Sequence, residues 1–339
     1  MCKIYLNVMK RILGIGNAVT DIPVVLPDKA LLRELGLVPG SMNHVDAPAA
    51  RKIWEKIQGM DLGNVPGGSA ANTVAAAARL GMGGGFIGKV GRDKVGELYG
   101  RAMEDDGVRA YLTVGSHPSA RAVTFITPPD GERTFATYLG AALELSAADL
   151  REEMFEGYDY LHVEGYLMQC GDVVERAVEI ARGKGIAVSF DLGSCGIVRN
   201  YHERVCRIVA DYADIVFANE QEAEAISRKG GEEALRWICS LMASERRVAV
   251  VKLGKEGSLV MAGGSISVIG AVPARAVDTT GAGDAYAAGF LYAHSCGADP
   301  ALCGETGAML ASRVVEAIGP KMEERGWDEV LFGIKAKLE

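Results

Sequence analysis

The sequence predicts one α/β domain, built on a mostly parallel sheet with helices on both faces and carrying a small β-rich appendage. Three observations predict it. From residue 146 onward, strand-like and helix-like segments alternate, as in right-handed βαβ units. Two stretches, 18–47 and 108–138, break that rhythm with β-rich segments of their own. The chain has 339 residues and neither a long linker, a low-complexity tract nor an internal repeat, so one large core over residues 9–339 is the simplest organisation.

Element by element, RILGIG (Arg11–Gly16) reads as a buried strand. Residues 18–47 are irregular and rich in Pro, Val and Leu. A helix follows near 47–58. In VPGGSAANTVAAAARLG, Ala70–Leu80 is helical by propensity and Gly81 is its C-cap. GGFIGKVG is a strand, and Asp93–Asp106 a helix. AYLTV, RAVTFIT and RTFATYL alternate and are rich in β-branched and aromatic residues, with PPDGE as turn chemistry between the last two, so 108–138 reads as a meander or hairpin. SAAD offers a capping box for a helix. Strands YDYLHVEG, IAVSFDL, DIVFANE and RVAVVKLG then interleave with helices over 171–184, 200–210, 220–227 and 231–243. A hairpin, GSLVMAGGSISVIG, and helices over 282–296 and 300–317 complete the pattern. Met9 precedes Lys-Arg and the first strand, so residues 1–8 read as an N-terminal extension.

Composition removes several function classes. The net charge of −8 disfavours nucleic acid as a partner. No apolar run approaches the ~20 residues that span a bilayer, so no membrane partner is expected. Seven cysteines are scattered with no CxxC or Cys/His spacing, as for reduced thiols in a cytoplasm rather than a zinc site.

Three glycine-rich stretches invite a phosphate. GIGNAV (Gly14–Val19) follows a strand, but Val19 stands where a dinucleotide fingerprint needs its third glycine, so it reads as a tight strand exit. GGGFIGKV (Gly83–Val90) nearly matches a phosphate loop, yet Val90 replaces the metal-binding hydroxyl and the stretch looks like a strand. DTTGAGDAYAAGF (Asp278–Phe290) differs: Gly281 and Gly283 permit backbone N–H groups to converge on an anion at a helix start, with Asp284 in the first turn. By itself Asp284 could equally be an ordinary helix-start acid.

That stretch resembles the C-terminal signature of the ribokinase (PfkB) family of small-molecule kinases. GIGNAVTD, PGGSAANTVAAAARLG with FIGKVGRDKVG, FANEQEAE and VVKLGKEGSLV resemble four further family motifs in the same order, over roughly residues 11–320. GLVPGSMNHVD and DGERTFATYLGAA are similar to the adenosine kinase branch. The resemblance implies a three-layer ribokinase-like sandwich with a β-sheet lid formed by 18–47 and 108–138, ATP and Mg²⁺ as partners in the reaction, and a small sugar or nucleoside as acceptor.

The resemblance also assigns residues. Asp284 is the base for the acceptor alcohol, and the backbone of Gly281-Ala282-Gly283-Asp284, through the N–H groups of Ala282, Gly283 and Asp284, forms the anion hole. The start of the helix is expected to keep Asp284 ionised and weakly basic. Asp21, Gly67, Gly68 and Asn72 match substrate-binding positions, while Ser69 departs from relatives that carry lysine there. Glu164, at a strand's carboxyl end, is either a substrate contact or a loop acid. Asn219 and Glu222 match the motif that arranges Mg²⁺ through water, and Lys252, Gly254 and Gly257 match the nucleotide-facing turn. Asp278 and Thr280 match a monovalent-cation site suited to K⁺. FDLGSCGIVR lacks the FDPNxR-type segment of several hexose and ketodeoxygluconate kinases. Tyr138, Tyr166 and Phe125 are available to stack on a base or to fill the lid. Apolar faces at 18–26 and 121–127 leave a homodimer through the lid open. A non-catalytic ligand-binding protein on the same scaffold is the reading outside enzymology, and it would be expected to lose the base or the anion hole.

Overall fold

The computed structural model describes residues 9–338, apart from 61, 62, 64, 129–131, 318 and 323. The expected extension at 1–8 and the centre of the PPDGE turn lie outside the described residues. The chain opens with β1 (Arg11–Ile15), β2 (Val19–Val25), α1 (Ala30–Glu34), β3 (Met42–His44), α2 (Ala47–Ile57), β4 (Val65–Gly67) and α3 (Ser69–Leu80). Next come β5 (Gly83–Val90), α4 (Lys94–Asp105), β6 (Val108–Val114), β7 (Ala120–Thr127) and β8 (Glu132–Tyr138). The alternating part holds β9 (Tyr160–Glu164), α5 (Val173–Gly183), β10 (Ala187–Asp191), α6 (Cys195–Asn200), α7 (His202–Asp211), β11 (Ile215–Asn219), α8 (Glu220–Ser227), α9 (Gly231–Leu241) and β12 (Val248–Lys252). The hairpin β13 (Ser258–Ala262) and β14 (Ser265–Ile269) precedes α10 (Ala282–Ser295), α11 (Pro300–Val314) and α12 (Glu324–Leu338).

Nine strands form the main sheet in the order β14-β13-β12-β11-β10-β9-β1-β5-β6. All neighbours run parallel except the β12–β13 and β13–β14 pairs. Apart from the edge strands β6 and β14, the strands are buried on both faces, which is why they read as continuous apolar runs rather than alternating ones. Leu13, Ile15, Val188, Phe190, Val216 and Ala249 point into one apolar layer, with α5, α7 and α9. Ile12, Phe217, Val248 and Val250 point into the other, with α3, α10, α11 and α12. Strand order turns back on either side of β1, so the crevice at the carboxyl ends of β1, β9, β10, β11 and β12 is where ligands of open α/β sheets collect.

A second sheet of five strands, ordered β3-β8-β7-β2-β4, stands where the lid was expected. Two expectations change here. AYLTV is β6, the edge strand of the main sheet, so only β7 and β8 of the 108–138 stretch belong to the lid. Its sequence misled because Ala110–Thr113 are only half-buried on this edge strand, so it lacks the continuous apolar run of the enclosed strands. The apolar face expected to serve a lid-to-lid dimer is already covered: Ile22, Val24, Leu26, Val123 and Phe125 pack against Leu32 of α1 and Ile53 and Ile57 of α2. Phe125 therefore fills the lid and does not reach a ligand.

Smaller differences have local causes. The SAAD capping box forms, but Asp149 also pairs with Lys89 at 2.9 Å, and the segment stops as a 3-10 turn, Ala147–Asp149. That pairing occupies the lysine of GGGFIGKV, which is a strand, as read. Helix α12 was not foreseen; Trp327, Val330 and Ile334 seat it on the second core layer.

Candidate active site

Asp284 stands where the amino ends of two helices meet. Gly281, at φ 76°, turns the chain into α10, and a Cβ there would lie 2.6 Å from the ring of Pro320. Asp284 Oδ1 accepts from Ser69 Oγ at 2.7 Å, and Oδ2 from Asn72 Nδ2 at 2.9 Å. Both donors lie in the first turn of α3. Burial pushes the Asp284 carboxyl up to about 6, against the two hydrogen bonds. The expectation of a weak base held down by the helix start is thus corrected: desolvation outweighs the hydrogen-bonding donors.

The backbone before it is partly engaged. Ala282 N–H donates to the Thr279 carbonyl at 3.2 Å. The N–H groups of Gly283 and Asp284 find no chain acceptor among the described residues. The three-donor cradle expected from the sequence is therefore two open donors and one already in use. Lys252 faces them: its Nζ would lie 3.0 Å from a Cβ on Gly283, so the glycine leaves room for an ammonium beside the helix start.

Lys252 ends β12 and donates to Asp191 Oδ2, at the end of β10, at 3.0 Å. Burial works against the Lys252 charge, but Asp191 and Glu222 outweigh it and hold the ammonium above its ordinary range. Asn219 and Glu222 cap α8 reciprocally: Asn219 Oδ1 accepts from Glu222 N–H at 2.9 Å, and Glu222 accepts from Asn219 N–H and Nδ2 at 2.8 and 2.7 Å. Burial and the Asp191 charge raise the Glu222 carboxyl above its usual range. Gly254 (φ 58°) and Gly257 (φ 93°) shape the turn after β12, and a Cβ on Gly257 would strike the Ile269 carbonyl.

Across the cleft, Asp21 projects from β2 over Gly67, where a Cβ would come within 2.2 Å of its Oδ2. Gly68, at φ 98°, is the N-cap of α3, and a Cβ there would meet the Asn17 carbonyl at 2.2 Å. Asp21 makes no side-chain hydrogen bond among the described residues. Burial, then the Asp284 charge, pushes its carboxyl up to about 7. Asn72 Oδ1 is buried and also lacks a partner. Glu164 is different. Its Oε1 accepts from Asn17 N–H and Nδ2, both at 2.8 Å, and its Oε2 from Ala70 N–H at 2.9 Å. Glu164 thus ties β9 to the β1 exit and to α3, and it positions the site from behind. Burial raises its carboxyl to about 7 against those three bonds.

Asp278 is buried at the head of the α10 loop. Thr280 N–H donates to its Oδ1 at 2.9 Å and Gly319 N–H to its Oδ2 at 2.7 Å, and Arg133 of the lid strand β8 forms an ion pair with it.

Residues 37–324 match the pfkB family carbohydrate kinase profile. The chain belongs to the pfkB carbohydrate kinase family. The kinase is 30% identical to a nucleoside kinase of Methanothermobacter thermautotrophicus over 261 residues, 76% of this chain and 80% of that protein. Among solved structures, a probable sugar kinase from Rhizobium etli is 30% identical with a TM-score of 0.84, covering 98% of this chain and 99% of its own. The adenosine kinase of Sinorhizobium meliloti is 33% identical with a TM-score of 0.82, covering 96% and 99%. The fold is ribokinase-like, and the kinase is a phosphotransferase with an alcohol group as acceptor. Kinases of this family use ATP, generally with Mg²⁺.

Two of this kinase's site residues escaped sequence reasoning. Asp191 carries the signal of an acid at the carboxyl end of a parallel strand, in FDL, and it is the counter-ion of Lys252. Arg133 lies in a segment read only as lid, and nothing in its spacing announced Asp278. Tyr166 was named; it packs against the first core layer, and burial, then the charges of Glu222, Asp191, Glu164 and Asp284, raise its phenol.

Proposed function

We propose that this kinase transfers the γ-phosphoryl group of ATP to a hydroxymethyl group of a sugar or nucleoside, with Asp284 taking the alcohol's proton. The observation that carries the reading is Asp284 itself. It is a carboxylate oriented by Ser69 and Asn72, raised toward neutrality, and flanked by two open N–H donors and an ammonium. Phosphoryl transfer needs positioning and charge neutralisation more than covalent help. The acceptor hydroxyl lies between Asp21 and Asp284, where Asp21 and Asn72 Oδ1 have free acceptor capacity for its neighbouring hydroxyls. Asp284 accepts the proton as the new O–P bond forms. The N–H groups of Gly283 and Asp284 and the Lys252 ammonium balance charge on the migrating group. Mg²⁺ bound with ATP would neutralise phosphate charge, and Glu222 and Asp191 are the carboxylates placed to hold its waters.

One observation favours the nucleoside. Asp21, Ala122, Thr137 and His44 are register partners across four lid strands, so their side chains share the face that carries Asp21. At ~4.8 Å per strand the row runs about 14 Å, longer than a lone furanose. It ends in a cavity of about 500 Å³ framed by His44, His117, Thr137, Tyr138, Glu144 and Gln169. A second, hydrogen-bonding ring suits that space. The test is ADP release by the purified protein across pentoses, hexoses and nucleosides. Turnover with at least one class is expected, and silence with all of them sinks the reading.

A further inference from the structure

The residues at Asp278 do not fit the monovalent cation that the family resemblance places there. The Asp278 carboxylate is 6% exposed and already meets three donors: the N–H groups of Thr280 and Gly319 and the guanidinium of Arg133. Both carboxylate oxygens are engaged within the chain: Oδ1 by Thr280 N–H and Arg133, Oδ2 by Gly319 N–H. Arg133 Nη2 also reaches toward the Val277 carbonyl, at 3.5 Å. The positive charge at this corner thus comes from the protein, and it comes from the lid. Arg133 is on β8, where it shares a face with half-buried Phe135 and with Thr137, the face that lies toward Asp21.

We propose that the Arg133 guanidinium takes the place of the monovalent cation, so that the lid itself supplies the charge that completes the phosphoryl-binding loop. The physical need is plain. Asp278 opens the loop whose later amides face the transferred group, and an uncompensated buried carboxylate there would repel phosphate and be costly to bury. A potassium ion would neutralise it at any lid position. An arginine carried by β8 neutralises it only while the lid lies over the site. The loop is then electrostatically complete only with the lid in place, which would limit transfer of the phosphoryl group to water while the site stands open.

The test uses the full-length protein in potassium, sodium and choline chloride at equal ionic strength, with two readouts. Melting temperature needs no substrate, so its result stands even if the kinase reading fails; ADP formation is the second readout. For the wild type, both are expected to be the same in the three salts. In Arg133→Met, which keeps length but removes charge, the rate in choline falls by on the order of tenfold or more. Potassium then restores much of it and raises the melting temperature above the value in sodium. Adding Asp278→Asn to that variant abolishes both potassium responses. A potassium-specific rise in wild-type melting temperature or rate overturns the proposal, and so does an Arg133→Met protein indifferent to potassium in both readouts. Should Arg133→Met not fold, the wild-type comparison decides alone, with Arg133→Lys expected to stay indifferent to potassium.

Discussion

The two sides of the cleft treat their polar groups in opposite ways. On the side proposed for the nucleotide they are paired within the chain: Lys252 with Asp191, Asn219 with Glu222. On the side proposed for the acceptor, Asp21 has no hydrogen-bond partner among the described residues, and Asn72 Oδ1 is buried without one. A buried polar atom left unmade costs roughly 1–3 kcal/mol. The difference shows which side is finished before ligand arrives and which awaits it. On the proposed reading, the paired side is where phosphate would lie, and the open side would keep its hydrogen-bonding capacity for a molecule that supplies hydroxyls. Asp284 belongs to both, held by Ser69 and Asn72 from α3 yet sitting at the start of α10.

The largest effect is expected where the two sides join. Asp284→Asn should lower kcat by about 10²- to 10⁴-fold while acceptor binding, measured by calorimetry without ATP, is retained. Lys252→Met attacks the paired side. It strands Asp191, so urea unfolding should show a loss of about 3 kcal/mol, and adding Asp191→Asn should recover stability but not turnover. If the double variant also recovers turnover, Lys252 has no role beyond its ion pair.

Asp21→Asn probes the open side. Acceptor kcat/KM should fall by about tenfold to a hundredfold, with KM for ATP unchanged. Its effect on stability has a definite sign. The folded carboxyl sits at about 7, above its ordinary 3.8, so the folded state holds the proton more tightly. That contribution is present below the unfolded value and is lost as pH rises through about 7. At pH 8 the asparagine should therefore be the more stable, by about 4 kcal/mol, and at pH 4 the gain should vanish. A loss at both values would mean that Asp21 has a partner in the chain. The smallest change is expected from Glu164→Gln. An amide there turns N–H donors toward the N–H groups of Asn17 or Ala70, costing about 1–2 kcal/mol, with acceptor specificity unaltered.

Much of this was legible before the fold. Strand ends and the glycines and acids of DTTGAGD follow from local rules of period and helix starts, and the structure keeps them. What stayed hidden was set by long-range partners. Glu164 reads alike as ligand contact or strut until Asn17 and Ala70 are seen to claim it. AYLTV reads as lid until its register with β5 puts it in the main sheet. Arg133 and Asp278 are separated by more than half of the alternating domain, and no local pattern records that they meet. The pKa of Asp284 was misjudged for the same reason: the helix start is written in the sequence, but the burial that overrides it is a property of the packed cleft.

The central claim is that the Asp284 carboxylate accepts the alcohol's proton, and the pH dependence of kcat in wild type and Asp284→Asn tests it most directly. With the carboxyl near 6, wild-type kcat should climb about tenfold per pH unit below that value and level off above it, whereas the residual rate of Asp284→Asn should stay level across the same range. The same acid limb in both proteins, or a flat wild-type profile, would contradict the assignment.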